Sequence, residues 1–258
     1  MSAQTLAGRR GRMIGSWYRQ ELLLLIREPV AIFFSLAFPL VIYVFIGMPY
    51  ANEVLPDTQS RFIDVMFPSL VGTVSANLLL MGLPIYIAEL RTRQVDKRYR
   101  SIPLPGSVFG VAVVLSMLTL TALASAVIIL VVGLRHGLRS ESVDPIFLLL
   151  NLGLIAFLCA AGFFLGTLPF GSRTIQAASA AVFFILFFGS GAAAPLDALP
   201  SIVQNILEWN PLKVWFDALV SVYTGSGLPG DSVWKMCLTL VVGCVLGLIG
   251  LRNWRRVE

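Results

Sequence analysis

Six long apolar runs dominate the chain, at roughly 30–50, 64–88, 107–134, 146–168, 175–194 and 232–251. Each approaches the ~20 residues that a helix needs to cross a hydrocarbon core about 30 Å thick. A backbone in hydrocarbon must satisfy its own hydrogen bonds, so the runs predict an all-α polytopic membrane protein with six transmembrane helices and no strands. Composition agrees: 57% of the 258 residues are hydrophobic and 13% charged, about half the roughly 25% of a soluble domain. Pro39 and Pro84 fall inside two of the runs, where membrane helices tolerate them if neighbours satisfy the freed carbonyls. The first run is long and follows a structured segment, which argues against a cleaved leader.

An even number of spans puts both ends of the chain on one side, and basic residues choose the side. Fourteen of the 19 Lys and Arg residues fall on the face that carries the termini, with five of the 14 acidic residues, giving +9 against −4. Both termini are expected to be cytoplasmic. The net charge of +5 then follows from topology and contact with anionic lipid or a cytoplasmic partner, without nucleic acid.

Residues 12–27 place Ile14, Trp17, Tyr18, Leu22 and Leu25 at helical spacing, opposite Arg12, Ser16, Arg19, Gln20 and Arg27. This predicts an amphipathic interfacial helix, or a positive flank that only sets topology. Residues 89–106 form a connection containing Glu89, Arg91, Arg93, Asp96, Lys97, Arg98 and Arg100, closed by Pro103, Pro105 and Gly106. A charged helix projecting from a span can dock into a soluble partner; a positive-inside loop would carry the same charges. In the long stretch 195–231, Asn210 caps a helix starting at Pro211, with Leu212, Trp215, Phe216, Leu219, Val220 and Tyr223 on one face and Lys213, Asp217, Ser221 and Thr224 on the other. At about a dozen residues it is too short to span. With the preceding 202–209 piece it is expected to dip in and return, or to lie flat as an outer lid.

The spans hold almost no ionisable residues away from their ends, whereas an ion-coupled carrier usually needs buried charges. A P-loop requires a Gly-Lys pair, and the three lysines follow Asp96, Leu212 and Trp234. The single His136 excludes HExxH, makes no zinc site, and is read as a solvated loop residue. Cys159, Cys237 and Cys244 form no CxxC pair and are read as small buried hydrophobes. No catalytic or metal-binding residues are therefore expected. GxxxG pairs at Gly162/Gly166 and Gly243/Gly247 permit close helix packing, within the chain or between copies. Thr73, Ser75 and Asn77 in the second run and Phe183, Phe184, Phe187 and Phe188 in the fifth suggest an uncharged cavity for an amphipathic compound, or simply helix packing.

Taken together, Pro195, Leu199-Pro200, Asn210-Pro211-Leu212 and Asp217-Ala218-Leu219, set before a last span, resemble the permease subunit of ABC-2-type exporters along essentially the whole chain. The resemblance implies a bacterial plasma-membrane complex of two permease subunits, identical or different, with two separate ATP-binding subunits. These would carry Mg-ATP and grip residues 89–106, and this chain would hold no cofactor. Drugs, antibiotics, lipids and lipid-linked polysaccharides are the substrate classes implied, and a small hydrophobic compound is the expectation here. An ATP-independent carrier or channel, or a structural membrane protein, are the competing readings.

Overall fold

The computed structural model describes residues 3–26, 29–55, 59–92, 106–192 and 199–257, with the backbone alone for 3–12, 29–35, 106–107 and 255–257. Nine helices follow one another among the described residues. Helix α1 is Ala3–Ile26. Helix α2 runs Pro29–Ile42, passes through a π-helical stretch Tyr43–Gly47, and ends with Met48–Tyr50. Helix α3 is continuous over Phe62–Thr92, with a π-helical stretch Asn77–Gly82 at its middle. Then come α4 Gly106–His136, α5 Pro145–Thr167, α6 Ser172–Phe188, α7 Ser201–Leu207, α8 Pro211–Tyr223 and α9 Gly230–Val257. The one extended pairing is a single bridge between Val54 and Arg61.

Among the described residues, four helices are long and apolar enough to cross a membrane: Phe62–Thr92, Val108–His136, Pro145–Thr167 and Gly230–Trp254. Two others are apolar but shorter, Leu36–Tyr50 and Ser172–Phe188. The run expected at 175–194 stops at Phe188, where Gly189 caps the helix through its N–H to the Ile185 carbonyl. Of the connection 89–106, residues 93–105 lie outside the described residues, as do 195–198 of the long stretch.

The helix α3 is the most enclosed of the four, and its irregular middle has a local cause. Pro84 offers no N–H to the Leu79 carbonyl one π turn earlier, so that oxygen faces outward from its own helix. Helix α5 meets it with Gly162, where an added Cβ would sit 1.8 Å from the Leu79 oxygen. One turn on, a Cβ at Gly166 would lie 3.0 Å from Cα of Pro84. Gly243 and Gly250 of α9 pack on Phe157 and Phe163 of α5, so these two helices run parallel. Both GxxxG pairs thus close contacts within the chain, as small residues do wherever membrane helices approach closely.

Trp254 of α9 reaches Phe163 of α5 and Phe109 of α4, at 5.9 and 6.3 Å between ring centroids. The C-terminal ends of α3, α5 and α9 and the N-terminal ends of α4 and α6 therefore meet at one end of the bundle, the connector end. The loop joining α4 to α5 and the end of α8 mark the other, the hairpin end. Cys237 and Cys244 are exposed on α9, contrary to the buried reading, because α9 presents much of its apolar surface outward from the bundle.

Helix α1 docks on α4 through the apolar face expected from its spacing. The Trp17 ring meets Phe109 edge-on, and the Tyr18 hydroxyl lies 2.9 Å from Thr119 Oγ1. Glu21, given no role by the sequence, is buried there and accepts a hydrogen bond from the Tyr86 hydroxyl of α3. Burial lifts its carboxyl above the usual 4.5, and the Tyr86 bond opposes that rise.

Two predictions follow from this packing. Gly162→Ala should cost about 1–3 kcal/mol of stability in detergent, because backbone cannot give way to the new methyl. Gly247→Ala, whose Cβ would make an ordinary 3.5 Å contact with Ala160, should melt like the parent. Equal melting of the two variants would refute the close-approach account. For Glu21, the folded chain holds its proton more tightly than the unfolded one, so stability falls as pH rises above about 4.5 through the raised folded value. Glu21→Gln keeps an acceptor for Tyr86 and removes the titration. Its stability advantage over the parent should therefore widen with pH and then level off; a difference flat across that range would show that Glu21 is not proton-linked to folding.

Candidate functional site

The polar side chains of this bundle collect at its two ends and around α8. Asn210 caps α8 by accepting from the Leu212 N–H at 2.9 Å, and its amide donates to the Leu186 carbonyl of α6 at 2.8 Å. One side chain thereby starts the helix and ties it to the end of α6. Pro211 occupies the first turn, where its missing N–H costs nothing. Trp215 and Phe216 are each 2% exposed. The Trp215 indole lies over Gly153 of α5 and donates to Thr239 Oγ1 of α9 at 2.9 Å, while the Phe216 ring fills the space over Gly72 of α3. Tyr223 packs between Phe67 and Phe147.

Helix α8 is consequently inserted among α3, α5, α6 and α9 rather than laid flat as a lid. It runs antiparallel to α5, with Tyr223 at Phe147 and Trp215 at Gly153. Asp217 stays on the exposed side and pairs with Lys213 at 2.6 Å, an i,i+4 contact worth little where water reaches it. Preceding α8, α7 leaves Ile202 and Ile206 largely exposed. Glu208 and Trp209 then meet Lys235 and Trp234 of α9.

A second polar group at the hairpin end was not singled out from the sequence as a site. Asp64, buried in the first turn of α3, takes a forked contact from Arg61, with Nε–Oδ2 at 3.0 Å and Nη2–Oδ1 at 2.9 Å. That hydrogen bonding holds the Arg61 guanidinium above its ordinary pKa against the opposing effect of burial. Arg139 stands 4.0 Å from the same carboxylate and 3.8 Å from Glu141. Arg61 also donates to the His136 carbonyl, and the Arg139 N–H donates to the Tyr223 hydroxyl at 3.1 Å. His136 is no solvated loop residue: it ends α4, half-buried, with Nε2 2.9 Å from the Tyr43 hydroxyl of α2. Gly137, at φ +75°, makes the turn that brings Arg139 back over Asp64. The cluster joins α2, α3, α4 and the end of α8. The sequence signal was the Arg61–Asp64 spacing of three at a helix start; its partners lie 75 and more residues away.

At the connector end, Arg91 has a structural task. It donates to the carbonyls of Gly166 and Leu168 at 3.1 and 2.6 Å, satisfying the open end of α5. Glu89 is half-buried one turn before the described part of α3 ends. Arg93, Asp96, Lys97, Arg98 and Arg100 lie outside the described residues.

The residues suggested for a substrate path lie on α3 and α6. Thr73 and Ser75 are buried and donate to the Ser69 and Val71 carbonyls of their own helix. Asn77 is half-buried at the start of the π-helical stretch. Phe183 and Phe187 are buried against Phe38 of α2, at 5.9 and 5.2 Å, whereas Phe184 and Phe188 face outward. Ser179, on the buried face of α6, holds a hydroxyl without a hydrogen-bond partner. No group of three or more His, Cys, Asp or Glu suited to a metal occurs among the described residues.

No curated protein matches this chain. The model of the ABC-2 type transporter family matches residues 14–224, from the docked face of α1 to the residue after α8. The match covers well over half of the chain and takes in the inserted helix, the polar cluster and the charged connector. This chain therefore belongs to the ABC-2 type transporter family, as a membrane-spanning permease component.

Proposed function

We propose that the chain is the membrane subunit of an ATP-driven exporter that moves a hydrophobic or amphipathic compound, of drug, antibiotic or lipid type, out of the cytoplasm or inner leaflet. Its membership of the ABC-2 family carries this reading. In it, α2 and α6 complete six crossings, both termini face the cytoplasm, and the membrane is the bacterial plasma membrane. Two such subunits pair, and two ATP-binding subunits grip the charged connector at 89–106.

Geometry supplies a route for the coupling. Helix α3 is one continuous element from the connector to the polar cluster at the hairpin end. A push on the connector turns α3 and, through Arg91, also moves the end of α5. Its π-helical middle is the natural place to bend, since a π turn there already departs from regular helix. At the far end the motion reaches Asp64 and its Arg61 and Arg139 contacts, from which Arg61 reaches the end of α4, His136 reaches Tyr43 of α2, and the Arg139 N–H reaches Tyr223 of α8. Opening an outward path means parting these contacts and shifting α8. ATP hydrolysis belongs to the partner subunit, so this chain contributes shape and force transmission.

The first test is a mild-detergent pulldown from the native membrane. A stoichiometric ATPase without membrane spans is expected, and a folded, active preparation without one would move the assignment to an ATP-independent carrier. Two variants then probe the route in reconstituted vesicles. Arg98→Glu with Arg100→Glu should abolish ATP-linked transport while insertion is unchanged; full coupling would remove the connector from the mechanism. Asp64→Asn leaves two guanidinium groups without their carboxylate and should weaken the hairpin-end closure by about 1–3 kcal/mol. ATP hydrolysis without substrate should rise, and an unchanged basal rate would show that the cluster does not hold the outer path shut.

A further inference from the structure

Helices α4, α5 and α9 line a groove of about 700 Å³ in the half of the bundle nearer the connector end. That volume falls within the roughly 300–1,000 Å³ of small-ligand pockets. Its walls are almost wholly apolar, with Gly110 and Leu115 on α4, Ala156 and Cys159 on α5, and Gly247 and Trp254 on α9. Along α4 the lining extends from Gly110 to Leu118, about 12 Å of helix, and along α9 from Gly247 to Trp254, about 10 Å. Either length is close to one leaflet's share of a hydrocarbon core about 30 Å thick. The groove therefore has the depth of the acyl layer on one side of a bilayer.

Charge distinguishes its two ends. Trp254 closes the groove at the level where α9 leaves the bundle, its ring stacked on Phe109, in the position of an interfacial tryptophan. Arg252 is exposed beside it, and the sequence continues through Arg255 and Arg256. Across α4, α5 and α9 the one carboxylate is Asp231, at the opposite end of α9. An apolar slot one leaflet deep, with a tryptophan at its mouth and arginines beyond it, complements a ligand with a hydrocarbon chain and an anionic head. The surrounding bilayer holds such molecules at high concentration.

We propose that this groove binds one anionic phospholipid from the leaflet on the connector side, with an acyl chain between α4, α5 and α9 and the phosphate at the basic end of α9. The site is separate from the α8 region, and requires only that the bundle sits in a membrane.

Native mass spectrometry of the purified full chain, titrated with phosphatidylglycerol or phosphatidylethanolamine, tests this. The parent should retain one phosphatidylglycerol with a preference of about tenfold or more over phosphatidylethanolamine, as expected for several arginines near a headgroup. Arg252→Gln combined with Arg255→Gln and Arg256→Gln should erase that preference. Ala156→Leu, which fills the groove from an exposed position on α5, should weaken retention of both lipids, and Ala156→Ser should not. Independently of folding in those variants, phosphatidylglycerol with brominated chains should quench the parent's tryptophan emission more than that of Trp254→Phe. Equal retention of the two lipids by the parent, or equal quenching in Trp254→Phe, would overturn the proposal. So would an Ala156→Leu variant that keeps its lipid but changes oligomeric state, which would give the groove to a second copy of the chain.

Discussion

The approach of α5 to the Leu79 carbonyl of α3 is the contact on which the rest of this bundle depends. In hydrocarbon, a carbonyl without its helical partner has no water to turn to. Pro84 creates such a carbonyl near the middle of the most enclosed helix, and Gly162 lets α5 come near enough to cover it. Once α5 is fixed against α3, Gly243 and Gly250 lay α9 along α5, and Gly153 leaves room for the Trp215 indole. The placement of α8 thus rests on a proline and a set of glycines distributed across three helices.

Helix α8 shows how a helix of thirteen residues is kept inside such a bundle. Its start is closed by Asn210, the indole N–H finds Thr239, and the Tyr223 hydroxyl takes the Arg139 N–H. Each polar atom carried inward meets a partner on a different element. The cost of burying backbone ends and polar side chains is offset locally, while large aromatic surfaces supply the packing. A helix secured in this way shifts only if α3, α5 and α9 shift with it, which suits an element that follows the motion of the spans.

Much of this was legible in the sequence, and the boundary of legibility has a physical origin. Apolar runs, the amphipathic face of α1, and the Asn210-Pro211 start of α8 are local patterns, set by hydrophobic periodicity and capping chemistry within a few residues. The run at 175–194 continues past the end of α6, because Gly189, Ser190 and Gly191 follow the helix while Ala192 to Ala194 keep the sequence apolar. The pairings that bind the ends together were invisible. Glu21 meets Tyr86 and His136 meets Tyr43 across 65 and 93 residues, and no spacing encodes such distances. Arg91 looked like one more charge in a basic connector, whereas its Nη1 donates to two carbonyls that close the end of α5. The aromatic and hydroxyl residues suggested for a substrate path have periodicities that serve packing equally well, and Thr73, Ser75, Phe183 and Phe187 are committed to it in this conformation.

These commitments bear on how a chain with few mid-membrane charges performs directed work. Apart from the Lys213–Asp217 pair on the exposed side of α8, the described charged contacts between helices gather at the ends: Arg91 at the connector end, and Arg61, Asp64 and Arg139 at the hairpin end. Between them lies an apolar interior whose contacts are dispersive and weakly directional. The Asp64 cluster is directional and breaks over a short displacement, because forked hydrogen bonds tolerate little misalignment. Under the coupling proposed above, a directional contact at one end, a π-helical middle and a charged attachment at the other would together convert a graded push into a discrete release. That division of labour follows from where the bilayer permits charge, and it needs no ionisable group in the path itself.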